Sequence, residues 1–227
     1  MEYDLTIFEK GLEELGIALS QEQKKQFLTY YEHLVEKNKV MNLTAITEYN
    51  EVILKHFLDS LSIVKVGSFD QKNLAGKSVI DMGTGAGFPG IPLKIAFPEL
   101  KITLLDSLNK RVNFLNEVIE MLGLKDVTAV HGRAEDYAKQ KEHREKYDFC
   151  VSRAVANLST LSEYCIPFVK EGGSFISYKS GKIDEELKQA ENAVKILGGK
   201  VQNVVKFPLM DTDMDRSFVV IKKMKPT

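Results

Sequence analysis

The chain has 227 residues, 44% of them apolar and 28% charged, the proportions of a globular protein with room for a sizeable core. Lys plus Arg number 31 and Asp plus Glu 32, giving a net charge of −1; this argues against a protein that coats nucleic acid without specificity, but permits a local basic face. No apolar run approaches the ~20 residues of a membrane span, the acidic start Met1-Glu2-Tyr3-Asp4 lacks the form of a signal peptide, and Cys150 and Cys165 lie in apolar runs, as core residues of a protein in a reducing cytoplasm do.

Residues 1–66 read as helical. Leu5, Phe8, Leu12 and Leu15 have near-helical spacing, with Gly16 placed to end the helix. Ser20 with Gln23 three residues on matches a capping box. The helix it opens carries Phe27, Tyr30, Tyr31, Leu34 and Val35, an aromatic stripe better suited to packing than to base stacking. Residues 37–44 break the pattern and read as a loop. A third helix carries Val52, Ile53, His56, Phe57, Leu61 and Val64; His56 and Ser60, four apart, share a face with Asp59 nearby. The plain reading of that trio is a hydrogen-bonded polar edge. None of the four histidines sits in a metal-ligand cluster, so no metal is expected.

From Gly76 onward strands and helices alternate. Strands are expected at 78–82, 102–106, 127–130, 147–152 and 174–179, and helices at 91–97, around 112–122, at 157–169 and at 183–197. Residues 139–146 are a charged run, read as a solvated helix or loop. Two last strands, 200–207 and 217–222, have no helix between them and read as an antiparallel pair. The expected fold is α/β, Rossmann-like: a seven-stranded, mainly parallel sheet with an antiparallel C-terminal strand. Residues 1–66 form a helical extension before a ligand-binding domain at 67–227. In such sheets ligands bind beyond the carboxyl ends of the strands. Asp81, Asp106, Arg133-Ala134-Glu135, Arg153 and Lys179 stand at those ends and should converge on one crevice.

The stretch from Ser78 to Gly90 is the expected small-molecule site. An apolar strand hands over to Asp81 and then to Gly83, Gly85, Gly87 and Gly90, with a helix N-terminus beyond. Two ligands fit it. Residues 85–90 spell G-x-G-x-x-G, with Asp106 about 20 residues on, as a nicotinamide dinucleotide site has. Asp81 followed by alternating glycines suits S-adenosylmethionine, whose ammonium an acid can attract. Asp106 can accept both ribose hydroxyls in either case, and Ala134-Glu135 would offer an N–H and a carboxylate near the adenine. Asp81 also has a plain reading, as a turn-stabilising side chain. The antiparallel strand pair, and the lack of a His or Lys/Tyr constellation for hydride transfer, favour the methyl donor.

Further runs narrow the choice: Asn42-Leu43-Thr44, residues 56–60 (His-Phe-Leu-Asp-Ser), Gly87-Phe88-Pro89-Gly90-Ile91-Pro92, residues 105–111 from Leu105-Asp106-Ser107-Leu108 to Lys110-Arg111, Gly132-Arg133-Ala134-Glu135 and Ser152-Arg153-Ala154-Val155-Ala156. Together, from about residue 25 to the C-terminus, they resemble the bacterial 16S ribosomal RNA guanine-N7 methyltransferases, also called glucose-inhibited division protein B. One departure is Lys179-Ser180-Gly181, where members read Lys-Gly. The resemblance implies a cytoplasmic enzyme, expected to be monomeric, that uses S-adenosyl-L-methionine to methylate N7 of a guanine in 16S RNA of the 30S subunit or its precursor. It implies that Gly83, Phe88, Asp106, Ser107, Leu108, Ala134, Glu135 and Arg153 hold the cofactor, and it makes His56 and Asp59 candidates for organising the site without giving either a chemical step. Asp81, Gly85 and Gly87 complete the expected cofactor set, and Lys110, Arg111, Lys179, Lys182 and Arg216 are the candidate RNA phosphate contacts. No residue is expected to act as an acid or base. A dinucleotide oxidoreductase and a non-enzymatic ribosome-assembly factor on the same fold are the alternatives.

Overall fold

The computed structural model describes residues 3–227. Seven strands form one sheet in the order β3-β2-β1-β4-β5-β7-β6. They are β1 (Ser78–Met82), β2 (Lys101–Asp106), β3 (Val127–His131), β4 (Tyr147–Ser152), β5 (Val169–Ser180), β6 (Gly199–Pro208) and β7 (Asp215–Lys223). Strands β1 to β5 pair in parallel, while β7 pairs antiparallel with both β5 and β6. The first crossover runs from β1 to β2 on one side, and the chain later returns to β4 on β1's other side. That reversal leaves a gap between the loops after β1 and β4, the place where open α/β sheets bind ligands.

Successive residues of the strands point to opposite faces, so the sheet has a core on each side. On one face Val79, Val151, Ile176 and Val220 pack with Phe8, Phe27, Phe57, Ile91 and Leu115. On the other, Ile80, Cys150, Phe175 and Val219 pack with Leu158, Leu161, Ala190 and Val194. The first face is covered by α1 (Thr6–Leu15), α2 (Gln21–Met41), α5 (Gly90–Ala96) and α6 (Asn109–Met121); the second by α7 (Ala134–Tyr137), α8 (Leu158–Cys165) and α9 (Asp184–Ile196). The N-terminal helices thus share a core with the sheet. No helix among the described residues is long and apolar enough to cross a membrane.

Local chemistry accounts for most boundaries. Gly16 closes α1 in the left-handed region at φ 65°, and Ser20 and Gln23 form a reciprocal capping box on α2. Three expectations need correction. Residues 37–41 are not loop: α2 continues to Met41, and Asn42 ends it at φ 50°. The helix expected at 157–169 stops at Cys165, passes through a 3-10 turn (Ile166–Phe168), and gives way to β5 at Val169. The strand expected at 174–179 therefore begins earlier and takes in Gly172-Gly173, where the pairing with β4 shifts register between Tyr147 and Phe149, as at a β-bulge.

The third N-terminal helix is not uniform. It is built from α3 (Tyr49–Val52), a π-helical stretch (Ile53–Leu58), α4 (Asp59–Leu61) and a 3-10 turn (Ser62–Lys65). A π-helical stretch inserts a residue into the helical ladder and is frequent at functional sites. Here it contains His56 and is followed directly by Asp59.

Candidate cofactor and substrate crevice

A crevice of about 410 Å³ opens at the strand reversal, lined by the loop after β1 (Gly83 to Ala86, with Phe88), by Asp106, Ser107 and Arg111 after β2, by Arg153, Ala154 and Val155 after β4, by Leu43 and Thr44 from the segment after α2, and by His56 of the third N-terminal helix. Its volume is in the range of small-molecule sites, about 300–1,000 Å³. Gly83 and Gly85 have φ of 70° and 62°. A Cβ on Gly85 would meet nothing within 4 Å, so bare backbone faces the opening there.

The loop after β1 is held from below. Asp81 is wholly buried, and its Oδ2 accepts from the Thr84 hydroxyl at 2.7 Å and from the Gly90 N–H at 2.8 Å. The turn-stabilising role is therefore occupied by one oxygen, which also uses the first N–H of α5. The other oxygen, Oδ1, has no partner among the described residues. Burial raises the Asp81 carboxyl to about 7, against the lowering pull of Thr84, Gly90 and Arg153. Gly87, at φ 102°, is packed so closely that a Cβ would lie 2.7 Å from Ile91 and 2.8 Å from the Tyr30 hydroxyl. Tyr30 in turn donates its hydroxyl to the Ala86 carbonyl. Replacing Tyr30 by phenylalanine leaves that buried carbonyl unpaired. The expected cost is about 1–3 kcal/mol of stability in thermal unfolding, with weaker ligand binding through the loosened loop.

Asp106, 2% exposed, accepts from the Gly85 N–H at 2.8 Å and from the Leu108 N–H at 2.9 Å, with the Arg111 guanidinium 3.4 Å away. It ties the end of β2 to the glycine loop and to the start of α6. Ser107 is exposed beside it.

The crevice wall that packs on Phe88 is a network of charge. Asp59, 3% exposed, meets Arg153 Nη1 through Oδ2 at 3.0 Å and receives Arg216 Nε at 2.7 Å and Nη2 at 3.2 Å. Arg153 Nη1 also donates to the Lys55 carbonyl at 3.0 Å, and its Nη2 to His56 Nδ1 at 2.9 Å. The guanidinium lies 5.1 Å above the Phe88 ring, and His56 stacks on the same ring at 4.4 Å. Burial first, and then the Arg153 charge, push His56 down to about 3, so it is neutral at physiological pH.

Of the residues singled out by sequence, Gly83, Gly85, Phe88, Asp106, Ser107, Arg111 and Arg153 line the one crevice. Asp81 and Gly87 lie buried under its floor, Leu108 is 43% exposed, and Ala134 and Glu135 sit at the start of α7 outside the crevice lining. Lys110 and Lys182 are exposed. Two phosphate candidates already have partners. The Lys179 ammonium is 2.5 Å from Glu186 and 2.6 Å from the Ala156 carbonyl, and Arg216 is bound to Asp59; both charges are met inside the protein. Thr44, Thr84 and the rim residue Val155 were not picked out for the site. The only signal for Thr44 was its place in the Asn42-Leu43-Thr44 run.

Solved structures of low sequence identity share this fold. An O-methyltransferase from Bacillus cereus, solved in complex with SAH, aligns with a TM-score of 0.61 over 86% of this chain and 91% of that one, at 17% identity. TYW2 from M. jannaschii, solved in complex with AdoMet, aligns at 0.54 over 68% and 75%, at 15% identity. The strand order, with its antiparallel β7 and the crevice at the β1–β4 reversal, is that of the class I methyltransferase fold. The sequence is more specific. The family model for rRNA small subunit methyltransferase G matches residues 23–215. A protein of Lachnoclostridium phytofermentans named ribosomal RNA small subunit methyltransferase G is 58% identical over 224 residues, covering 99% of this chain and 91% of its own length. One of the same name from Clostridium botulinum is 50% identical over 221 residues, 97% of this chain and 91% of its own. The chain belongs to the rRNA small subunit methyltransferase G family.

Proposed function

We propose that this protein transfers the methyl group of S-adenosylmethionine to N7 of a guanine in 16S ribosomal RNA, on the 30S subunit or a precursor of it. The observation that carries the reading is the crevice at the β1–β4 reversal, floored by glycine backbone and faced by Asp106, in a chain of this family. We further propose that it works as a cytoplasmic monomer without a metal, with residues 67–227 as the methyltransferase body and 1–66 as an extension that completes the crevice.

The donor set suits the cofactor. Asp106 stands at the end of β2, where an acid can accept ribose hydroxyls. The bare edges of Gly83 and Gly85 allow close approach of a ligand to backbone. The unpartnered, buried Asp81 Oδ1 provides for a cationic group such as an ammonium. Ala134 and Glu135, at the start of α7, are the residues assigned to the adenine in this reading. When bound, S-adenosylmethionine supplies an electrophilic methyl on sulfur, which an unprotonated guanine N7 takes without losing a proton.

The task left to the protein is alignment and the exclusion of water. No general base is required, which fits a crevice whose one histidine is neutral and hydrogen-bonded at both ring nitrogens. A base stacked within folded RNA must be exposed to enter, at a cost of a few kcal/mol. Lys110, Lys182 and Arg111 are the phosphate-contact candidates left free of a close carboxylate or only loosely paired.

The test is transfer of labelled methyl from S-adenosylmethionine to 30S particles, followed by mass spectrometry of the RNA nucleosides. A single new 7-methylguanosine is the expected result. Label at another atom, or in no RNA, would sink the proposal.

A further inference from the structure

The hydrogen bonds around His56 fix more than its charge. Arginine can only donate, so the 2.9 Å contact from Arg153 Nη2 makes His56 Nδ1 an acceptor. The ring proton of the neutral imidazole is therefore on Nε2. Nε2 lies 2.8 Å from the Thr44 hydroxyl oxygen, and must donate to it. The same oxygen accepts the Ile46 N–H at 3.1 Å. Thr44 is itself anchored, its own N–H donating to the Asn38 carboxamide at 2.8 Å. A hydroxyl oxygen has two acceptor sites and one proton. Both acceptor sites of Thr44 are filled, and no acceptor among the described residues takes its proton. Thr44 lines the crevice. The network running from Asp59 through Arg153 and His56 thus leaves the Thr44 hydroxyl as a polarised O–H donor at the crevice.

We propose that this Thr44 hydroxyl donates to O6 of the target guanine and selects guanine over adenine. The proposal rests on the functional reading above. For N7 to meet the methyl group, the base must enter by its major-groove edge. On that edge guanine presents two neighbouring acceptors, N7 and O6, whereas adenine presents N7 beside an amino donor. The N7 lone pair is needed for the reaction, so O6 is the atom left for recognition. Adenine would set its amino hydrogens against the Thr44 proton, and neither could turn to accept: the His56 tautomer is locked by Arg153, and Arg153 by Asp59. The glycine loop and Asp106 are assigned to the cofactor, which leaves the lining residues Leu43, Thr44 and His56 for the base. His56, Arg153 and Asp59 act here as positioning residues behind Thr44.

The experiment is a double-mutant cycle between protein and RNA. Wild-type, Thr44→Val and Thr44→Ser enzymes are assayed on 16S RNA whose target position carries guanine or 2-aminopurine, which keeps N7 and lacks O6. On guanine, Thr44→Val is expected to lower kcat/KM by about tenfold, with Thr44→Ser near wild type. On 2-aminopurine, wild type should fall to the level of Thr44→Val, and the two enzymes should then be equal. Calorimetry should show S-adenosylmethionine affinity within twofold for all three. If Thr44→Val loses the same factor on both RNAs, or its loss is matched by lost cofactor affinity, the O6 contact is refuted. A wild-type enzyme that leaves guanine N7 unmethylated refutes the functional reading itself, and the proposal with it.

Discussion

Replacing Asp59 by alanine is expected to destabilise the protein by about 3–5 kcal/mol, the range found when one partner of a buried ion pair is removed. Its side chain is 4% exposed and the two arginine side chains it binds are each 16% exposed. Without the carboxylate, Arg153 and Arg216 stay largely buried with no anion between them. Against a total of roughly 5–15 kcal/mol for a typical domain, that loss would move a urea midpoint by about 1–2 M. Asp59→Asn keeps an oxygen for one arginine and should fall between. Replacing all three charges by apolar residues of similar size should recover most of the stability, since filled apolar cores often equal buried ion pairs. It should not recover methyl transfer, because nothing then fixes His56. An Asp59→Ala protein within about 1 kcal/mol of wild type would show that the network is more hydrated than its burial implies.

Asp81→Asn should separate binding from folding. The amide oxygen can accept from Thr84 and Gly90 as Oδ2 does, so the loop after β1 should keep its shape. The lost feature is charge at the unpartnered Oδ1. S-adenosylmethionine affinity is expected to fall on the order of 10–150-fold, the worth of about 1.5–3 kcal/mol for a charged hydrogen bond. Burial raises the wild-type carboxyl from the usual 3.8 to about 7, so below about pH 7 the free protein holds a proton there that a cationic ligand must displace. Affinity should therefore weaken as pH falls below about 7, by up to tenfold per unit, and level off above it. The sign for folding is opposite. The folded state binds the proton more tightly than the unfolded chain, so stability declines as pH rises from 3.8 to about 7. Asp81→Asn should flatten that decline and be no less stable than wild type above it. Calorimetric titrations across that range check both. A wild-type affinity indifferent to pH would remove Asp81 from the binding site.

The sheet was legible because its strands are continuous apolar runs bounded by acids and glycines. β1 and β4 fall at 78–82 and 147–152, as expected, and Ser20 caps α2 through Gln23. What misled was polarity taken for irregularity. Lys37, Asn38 and Lys39 continue a helix whose outer face is in water, and Gly172-Gly173 bends a strand without ending it. For the site, strand-end position was a good guide: Asp106 and Arg153 reach the crevice because parallel strands carry their last residues to the same edge. The partners of Arg153 were out of reach. His56 and Asp59 looked like a polar helix edge, and nothing local in the sequence joins Asp59 to Arg216, 157 positions away. Nor does spacing show that Asp81 would turn one oxygen into the loop and leave the other without a partner.

That separation has a consequence in time. A growing chain makes Asp59 long before it makes Arg216 on β7. Until then Asp59 lacks the two hydrogen bonds that it receives from Arg216, and the wall bearing His56 and Thr44 is not yet fixed. Arrival of β7 supplies the missing cation and pairs with β5 in the same event. Closure of the sheet and completion of the crevice wall are therefore one step, so a partly made chain cannot present a finished site.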